Sequence, residues 1–174
     1  IAAQVRPVIG TSGYELADLG QIRGACDRAR SGAIFAPNFA VGAVLMMRFA
    51  QIAAKHFSTA DIIEMHEAGK RDAPSGTAMA TARRMAAAQS FVRPQTQHLK
   101  AQGAGGATVD GVGVHSLRFP GVVAHQEVLL GSAGQTLSIS HDCYSRESFM
   151  SGLLIAVRAA ASLTHFIDGL DELL

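Results

Sequence analysis

The tetrapeptide Pro74-Ser75-Gly76-Thr77 sets two structural states back to back. Proline disfavours helix in the residue before it, so the preceding segment is broken there. Ser75-Gly76-Thr77 then opens an Ala-rich helical run from Ala78 to Ala88. Upstream, Asp61 to Met65 reads as a strand that delivers His66 at its end. A strand, a polar turn and a helix start are thus compressed into one short stretch.

That stretch carries chemistry. The first backbone N–H groups of a helix have no partner within it, and the helix dipole stands behind them, so they suit an anion. Lys70 adds a full positive charge on the approach. His66 is of the one residue type whose ordinary pKa, about 6.5, lets it give or take a proton at neutral pH. Together these groups fit a small carboxylate or phosphate that undergoes proton-coupled chemistry. Ser-Gly-Thr after a proline is also an ordinary helix cap, and a lone His or Lys is commonly a solvated side chain. The density of the group, in a segment too polar and Gly-rich for core, points to a site.

Composition narrows the alternatives. A chain of 174 residues supports one domain with a real core and part of a second. The net charge of +1, without a basic stripe interleaved with aromatics, predicts neither nucleic acid nor membrane as a partner. Apolar runs are interrupted by Arg48 and Arg158, and none reaches the ~20 residues that span a bilayer. Cys26 and Cys143 stand far apart, and the seven histidines form no HExxH or HxxxH pattern, so no metal is expected. A cytoplasmic location fits incidental cysteines and the lack of a secretory leader.

Pro7-Val8-Ile9 reads as a strand running into the turn Gly10-Thr11-Ser12-Gly13. Helical spacing follows from Glu15 to Arg30, with Leu16, Leu19, Ile22 and Cys26 on one side. Ala33 to Ala36 is a buried strand and Pro37-Asn38 another turn, which makes half of a βαβ pattern. Ligands of parallel sheets sit beyond the carboxyl ends of the strands, where the turns 10–13 and 36–39 fall. A long helix spans Phe39 to His56, and 90–113 reads as a surface loop. Strands at 112–119, 122–130 and 135–141 follow, the last two joined by a hairpin turn at Ser132-Ala133-Gly134. Asp142 or Ser145 caps a final helix through Phe149 and Ala161. The second part is α+β, an open sheet of about four strands with helices on one face, and its other face calls for a second subunit. His125, Gln126 and Glu127 are polar contacts on that face or, as preferred, the outward side of an alternating strand.

The block from Glu64 to Ala78, with its Lys-x-Asp-Ala-Pro-Ser-Gly-Thr element, closely resembles the signature of the 4-hydroxy-tetrahydrodipicolinate reductase (dihydrodipicolinate reductase) family of diaminopimelate and lysine biosynthesis. Ala36-Pro37-Asn38-Phe39-Ala40-Val41-Gly42, Gly10-Thr11-Ser12-Gly13 and Val122 to Val128 resemble further family motifs, in the expected order along nearly the whole chain. The resemblance implies an NAD(P)H-dependent oxidoreductase acting on a small cyclic dicarboxylate, with NADPH or NADH as cofactor. It implies that His66 and Lys70 are the proton-handling pair, Lys70 protonating the position beside the carbon that receives hydride. Gly76 and Thr77, with Ser75, would bind a substrate carboxylate, and Gly10, Thr11, Ser12, Ala36, Pro37, Asn38 and Phe39 would border the nicotinamide. A homotetramer assembled through the second-domain sheet is also implied.

Two departures stand out. Many family members carry a second, substrate-contacting histidine where this chain has Glu67. A carboxylate there repels a dicarboxylate unless it is protonated or turned to Lys70 or Arg71, so Glu67 either takes the histidine's place at the substrate or orients Lys70. Secondly, no GxGxxG precedes Gly10. The chain therefore reads as the C-terminal end of a Rossmann-like domain (1–38), a substrate-binding and oligomerisation domain (39–164) and a C-terminal return segment (165–174). Without the fingerprint loop these residues alone are not expected to bind NADH or NADPH tightly, and the chain alone is expected to have little activity. The rival is a non-catalytic oligomerisation module with an incidental anion site; a phosphate-binding domain is the third reading.

Overall fold

The computed structural model describes residues 1, 5–11, 14 and 16–174, Leu16 by its backbone alone. The chain divides into two compact units, 1–44 together with 146–174, and 45–145.

In the first unit, β1 (Val8–Ile9), α1 (Leu16–Ala29) and β2 (Ala33–Phe35) form the expected half βαβ, and β1 and β2 are parallel with Val8 opposite Ile34. A third parallel strand, β8 (Phe166–Asp168), pairs with the other edge of β2. The C-terminal return thus completes a small parallel sheet. Leu19 and Cys26 of α1 pack with Ala33, Phe35 and Phe166, and Ile22 joins from the edge. The period read from the sequence therefore gives the buried side of α1. A 3-10 turn at Arg146–Phe149 leads into α4 (Met150–Ala160). Asp142 does not cap this helix; it lies within a strand, and Ser145 precedes the 3-10 turn.

Helix α2 (Val41–Ala54) begins where Asn38 Oδ1 accepts the Ala40 N–H at 2.8 Å. In the second unit, β3 (Thr59–His66) is followed by α3 (Gly76–Ala88), then β4 (Ala107–Val109), β5 (Val112–Arg118), β6 (Ala124–Ser132) and β7 (Gln135–Cys143). Their order across the sheet is β4-β5-β3-β6-β7. Strand β5 is parallel to β3, and the other pairings are antiparallel.

The sheet has five strands, not the expected four, because β4 lies within the stretch read as a loop. It is three residues long, too short to show a period. A two-residue turn, Asp110-Gly111, joins it to β5, and both residues have positive φ (49° and 86°). Asp-Gly between short apolar runs is a hairpin signal that was present in the sequence.

Helix α3 turns Ala78, Thr81, Ala82 and Met85 inward at i, i+3, i+4 and i+7. These residues pack on Ile62, Val112, Val114, Val128 and Leu130 of the sheet, joined by Ala50 and Ala54 of α2. The helices therefore cover one face, as expected. Alternation along β3 buries Ala60, Ile62 and Glu64, and the register sets Ile62 opposite Val128 and Glu64 opposite Gln126.

Candidate functional site

The inward face of β3 ends in polar residues. Glu64 follows Ile62 on that face, its side chain is 0% exposed, and His66 is the next residue on the same side. A lone carboxylate this deep is costly unless it is paired and hydrogen-bonded. Here it is fully engaged. Arg118, opposite His66 in the β3–β5 register, forks onto it, with Nη2 donating to Oε1 at 3.0 Å and Nη1 to Oε2 at 3.1 Å. The backbone N–H of Ser75 donates to Oε1 at 3.2 Å. His66 Nδ1 lies 2.5 Å from Oε2.

Burial pushes the Glu64 pKa up, but hydrogen bonds from Arg118, Ser116 and His66 outweigh it and hold the carboxyl below the ordinary glutamate range. Glu64 is therefore ionised at neutral pH. An ionised carboxylate only accepts, so the proton in the His66 contact sits on Nδ1. The other ring nitrogen, Nε2, has no partner among the described residues.

The start of α3 is built onto the same carboxylate. Ser75 is the N-cap, 2% exposed, and its Oγ accepts the Ala78 N–H at 3.1 Å. The Met79 N–H goes to the Ser75 carbonyl, and Ser75's own N–H goes to Glu64. The Gly76 N–H has no partner among the described residues. A Cβ at Gly76 would meet nothing within 4 Å, and its φ is not in the left-handed region. Neither packing nor backbone geometry in this chain requires glycine there, and the space at the helix start is open.

Lys70 closes the polar turn. Its N–H donates to the Glu67 carbonyl at 3.1 Å, and its ammonium reaches Asp72 Oδ1 at 2.7 Å. That hydrogen bond is the main reason the Asp72 carboxyl lies below its ordinary value. Asp72 is 63% exposed, so the pair is weak and open to competition from another carboxylate. Arg118 Nη2 also donates to the Asp72 carbonyl at 2.6 Å. Arg118 thus ties the Lys70 turn to the Glu64 cluster. Glu67 is exposed.

Gln126 corrects the reading of β6. It faces inward, not outward, and donates from Nε2 to Thr81 Oγ1 at 2.8 Å; Thr81 in turn donates to the Thr77 carbonyl at 2.8 Å. His125 and Glu127 are on the opposite face, where His125 Nδ1 meets Asp142 Oδ1 at 2.8 Å and Glu127 accepts from Ser138. Gln126 Oε1 and Arg118 Nε are buried without a hydrogen-bond partner among the described residues.

In the first unit the described part of the first expected turn, Gly10-Thr11, and the second, Ala36–Phe39, follow the carboxyl ends of the parallel strands β1 and β2 and meet at Gly10 and Phe39. The Ala36 N–H donates to the Ile9 carbonyl at 2.9 Å. A Cβ on Gly10 would stand 2.6 Å from the Phe39 ring, so glycine is needed there for Phe39 to pack. The position suits one end of a dinucleotide. Asn38 Oδ1 is engaged at the start of α2, Pro37 and Thr11 are exposed, and Ala36 is buried. Ser12 lies outside the described residues.

Sequence reasoning missed Glu64 and Arg118 as site residues. The signal available was a carboxylate in step with Ala60 and Ile62 on the inward face of an alternating strand, which demands a cation.

Comparisons with known proteins show the family to which the chain belongs. Residues 42–174 match the family model described as dihydrodipicolinate reductase, C-terminus. The chain is 47% identical over its whole length to the 4-hydroxy-tetrahydrodipicolinate reductase of Desulfitobacterium hafniense, and covers 66% of it. The Moorella thermoacetica enzyme of the same name is 49% identical over 98% of the chain, which covers 64% of that protein. A dipicolinate-bound dihydrodipicolinate reductase from Paenisporosarcina sp. TG-14 superposes with a TM-score of 0.88 at 44% identity, over 98% of this chain and 65% of that one. The chain thus spans just under two thirds of the length of these relatives.

Proposed function

Since the chain belongs to the dihydrodipicolinate reductase family and carries its C-terminal part, we propose that the full-length protein reduces 4-hydroxy-tetrahydrodipicolinate to tetrahydrodipicolinate with NADPH or NADH, hydride and a proton being added and the 4-hydroxyl group leaving as water. The reaction belongs to diaminopimelate and lysine biosynthesis, and the enzyme works in the cytoplasm. The observation that carries the reading is the joining of His66, the Arg118-bound Glu64 and the α3 start through one buried carboxylate, with Lys70 on the adjoining turn.

The substrate is a cyclic dicarboxylate. One of its carboxylates binds at the start of α3, where the Gly76 N–H and the open space beside it receive an anion, with Thr77 alongside. Ser75 builds that start as its cap. Lys70 leaves Asp72 for the substrate and supplies the proton beside the carbon that is reduced. His66 shares the proton handling through Nε2. A bound nicotinamide supplies the hydride, and the turns at Gly10–Ser12 and Ala36–Phe39 border its ring. The positive environment of Lys70 and the helix start stabilises negative charge as it develops. Glu67, exposed, replaces a second histidine common in the family and is left outside the proton pathway.

The second-unit sheet face away from α3 carries Ile63, Met65, Leu117 and Leu129, of which Leu117 is 40% exposed. We assign this face to further copies of the chain in a homotetramer.

The test is turnover of the full-length protein with 4-hydroxy-tetrahydrodipicolinate and either nicotinamide cofactor. Loss of a positioned proton donor costs ~10²–10⁴-fold in rate, so Lys70→Ala should lower kcat by at least a hundredfold. A kcat unchanged by that substitution refutes the role of Lys70, and absence of turnover in the wild type refutes the reading as a whole.

A further inference from the structure

Glu64 does more in this structure than a counter-ion for Arg118 needs. The guanidinium fork uses both carboxylate oxygens from one side. Two further N–H groups approach the same oxygens, Ser75 N–H on Oε1 and His66 Nδ1 on Oε2. One buried carboxylate thereby fixes the imidazole that handles protons and the helix start that receives the anion. The two sites lie nine residues apart in sequence and on different elements, so neither fixes the other through local geometry.

We infer that Glu64 is a positioning residue for His66: it keeps the ring proton on Nδ1 and leaves Nε2 as the nitrogen that exchanges a proton with the substrate. The chemistry of the donors requires this. Beside the Ser116 hydroxyl, the groups around the carboxylate are N–H donors from Arg118, Ser75 and His66, so only an acceptor satisfies them at once. Which nitrogen of a histidine is basic is set by the bond its other nitrogen makes. With Oε2 at 2.5 Å, the ring is held in one orientation and one tautomer before substrate arrives. The inference deepens the proposed reductase activity and rests on it for the identity of the proton acceptor, while the tautomer stands on geometry alone.

Glu64→Gln separates positioning from packing. The amide keeps the size of the carboxylate; its oxygen at the Oε1 position still accepts from Arg118 Nη2 and Ser75 N–H, while Arg118 Nη1 loses its acceptor at Oε2. Its NH₂ then points at Nδ1 and donates, so the ring must carry its proton on Nε2. The experiment is ¹⁵N NMR of imidazole-labelled full-length protein at a pH where the ring is neutral, together with steady-state kinetics. The wild-type His66 is expected as the Nδ1–H tautomer and the variant as Nε2–H. In the variant kcat should fall at least tenfold while KM stays within threefold, as a wrong tautomer disables transfer and not binding.

A wild-type ring protonated on Nε2 overturns the inference without recourse to any variant, as does a variant ring with the wild-type tautomer. A KM that rises with kcat unchanged also overturns it, since that pattern reports damage to the anion site. Failure of the wild-type protein to turn over the substrate overturns the reductase reading instead, and the tautomer measurement still decides the role of Glu64.

Discussion

Arg118→Met removes the cation from a buried carboxylate while keeping much of the arginine's volume. The Glu64 side chain is 0% exposed and receives two hydrogen bonds from this guanidinium. Breaking a buried pair by deleting one partner costs ~3–5 kcal/mol. A fifth of the Arg118 side chain is in solvent, and Ser75 N–H and His66 still face Glu64, so the lower end, ~3 kcal/mol, applies at pH 7. For a protein of this size that is a fall in Tm of roughly 6–12 °C. The pH dependence identifies the cause. In the wild type the Glu64 pKa is depressed below its unfolded value of about 4.3. The stability it contributes is therefore complete above that value and is lost only as pH falls through the lower folded one. In the variant the largest bond opposing burial is gone and the folded pKa rises above its wild-type value, so the penalty is full at pH 7 and eases as Glu64 takes up a proton. Thermal unfolding of the full-length protein at pH 7 and at pH 4.5 measures both. The gap between wild type and variant should narrow at the lower pH. A gap under 2 °C at pH 7, or one that does not change with pH, refutes the argument that Arg118 neutralises a buried charge.

Two further substitutions probe the framework. Ser75→Ala removes the acceptor for the buried Ala78 N–H and should cost ~1–2 kcal/mol, read as a shift in the urea midpoint with unchanged m-value; no shift would mean that the cap carries no weight. Gly152→Ala places a Cβ inside van der Waals contact of the Phe39 carbonyl oxygen and 2.8 Å from Leu170 Cδ2. It should destabilise the first unit by ~1–3 kcal/mol, and a stability equal to wild type would show that α4 packs less closely than described.

Local chemistry made much of this fold readable before any coordinates. Pro74 and Ser75 announced the start of α3, and the helix begins at Gly76. The apolar spacing of Leu19, Ile22 and Cys26 gave the buried side of α1. Ala133-Gly134, with Gly134 at φ 79°, makes the turn between β6 and β7. What escaped was decided across the sheet. Alternation in β6 does not say which of its two sets faces inward, because His125, Gln126 and Glu127 are all polar. Pairing of Gln126 with Glu64 settles it. Arg118 lies 54 residues from Glu64, and only the β3–β5 register brings them together. Strand β8 joins β2 from the far end of the chain, a contact that no window of sequence contains.

The most direct test of the central claim is a calorimetric titration of the full-length protein, wild type and Lys70→Ala, with pyridine-2,6-dicarboxylate, a stable planar mimic of the proposed substrate. If the α3 start and Lys70 form the dicarboxylate site, the wild type binds one molecule per chain. The variant should bind at least tenfold more weakly, a difference of about 1.4 kcal/mol. Equal affinity in the two proteins would place the dicarboxylate elsewhere and contradict the site described.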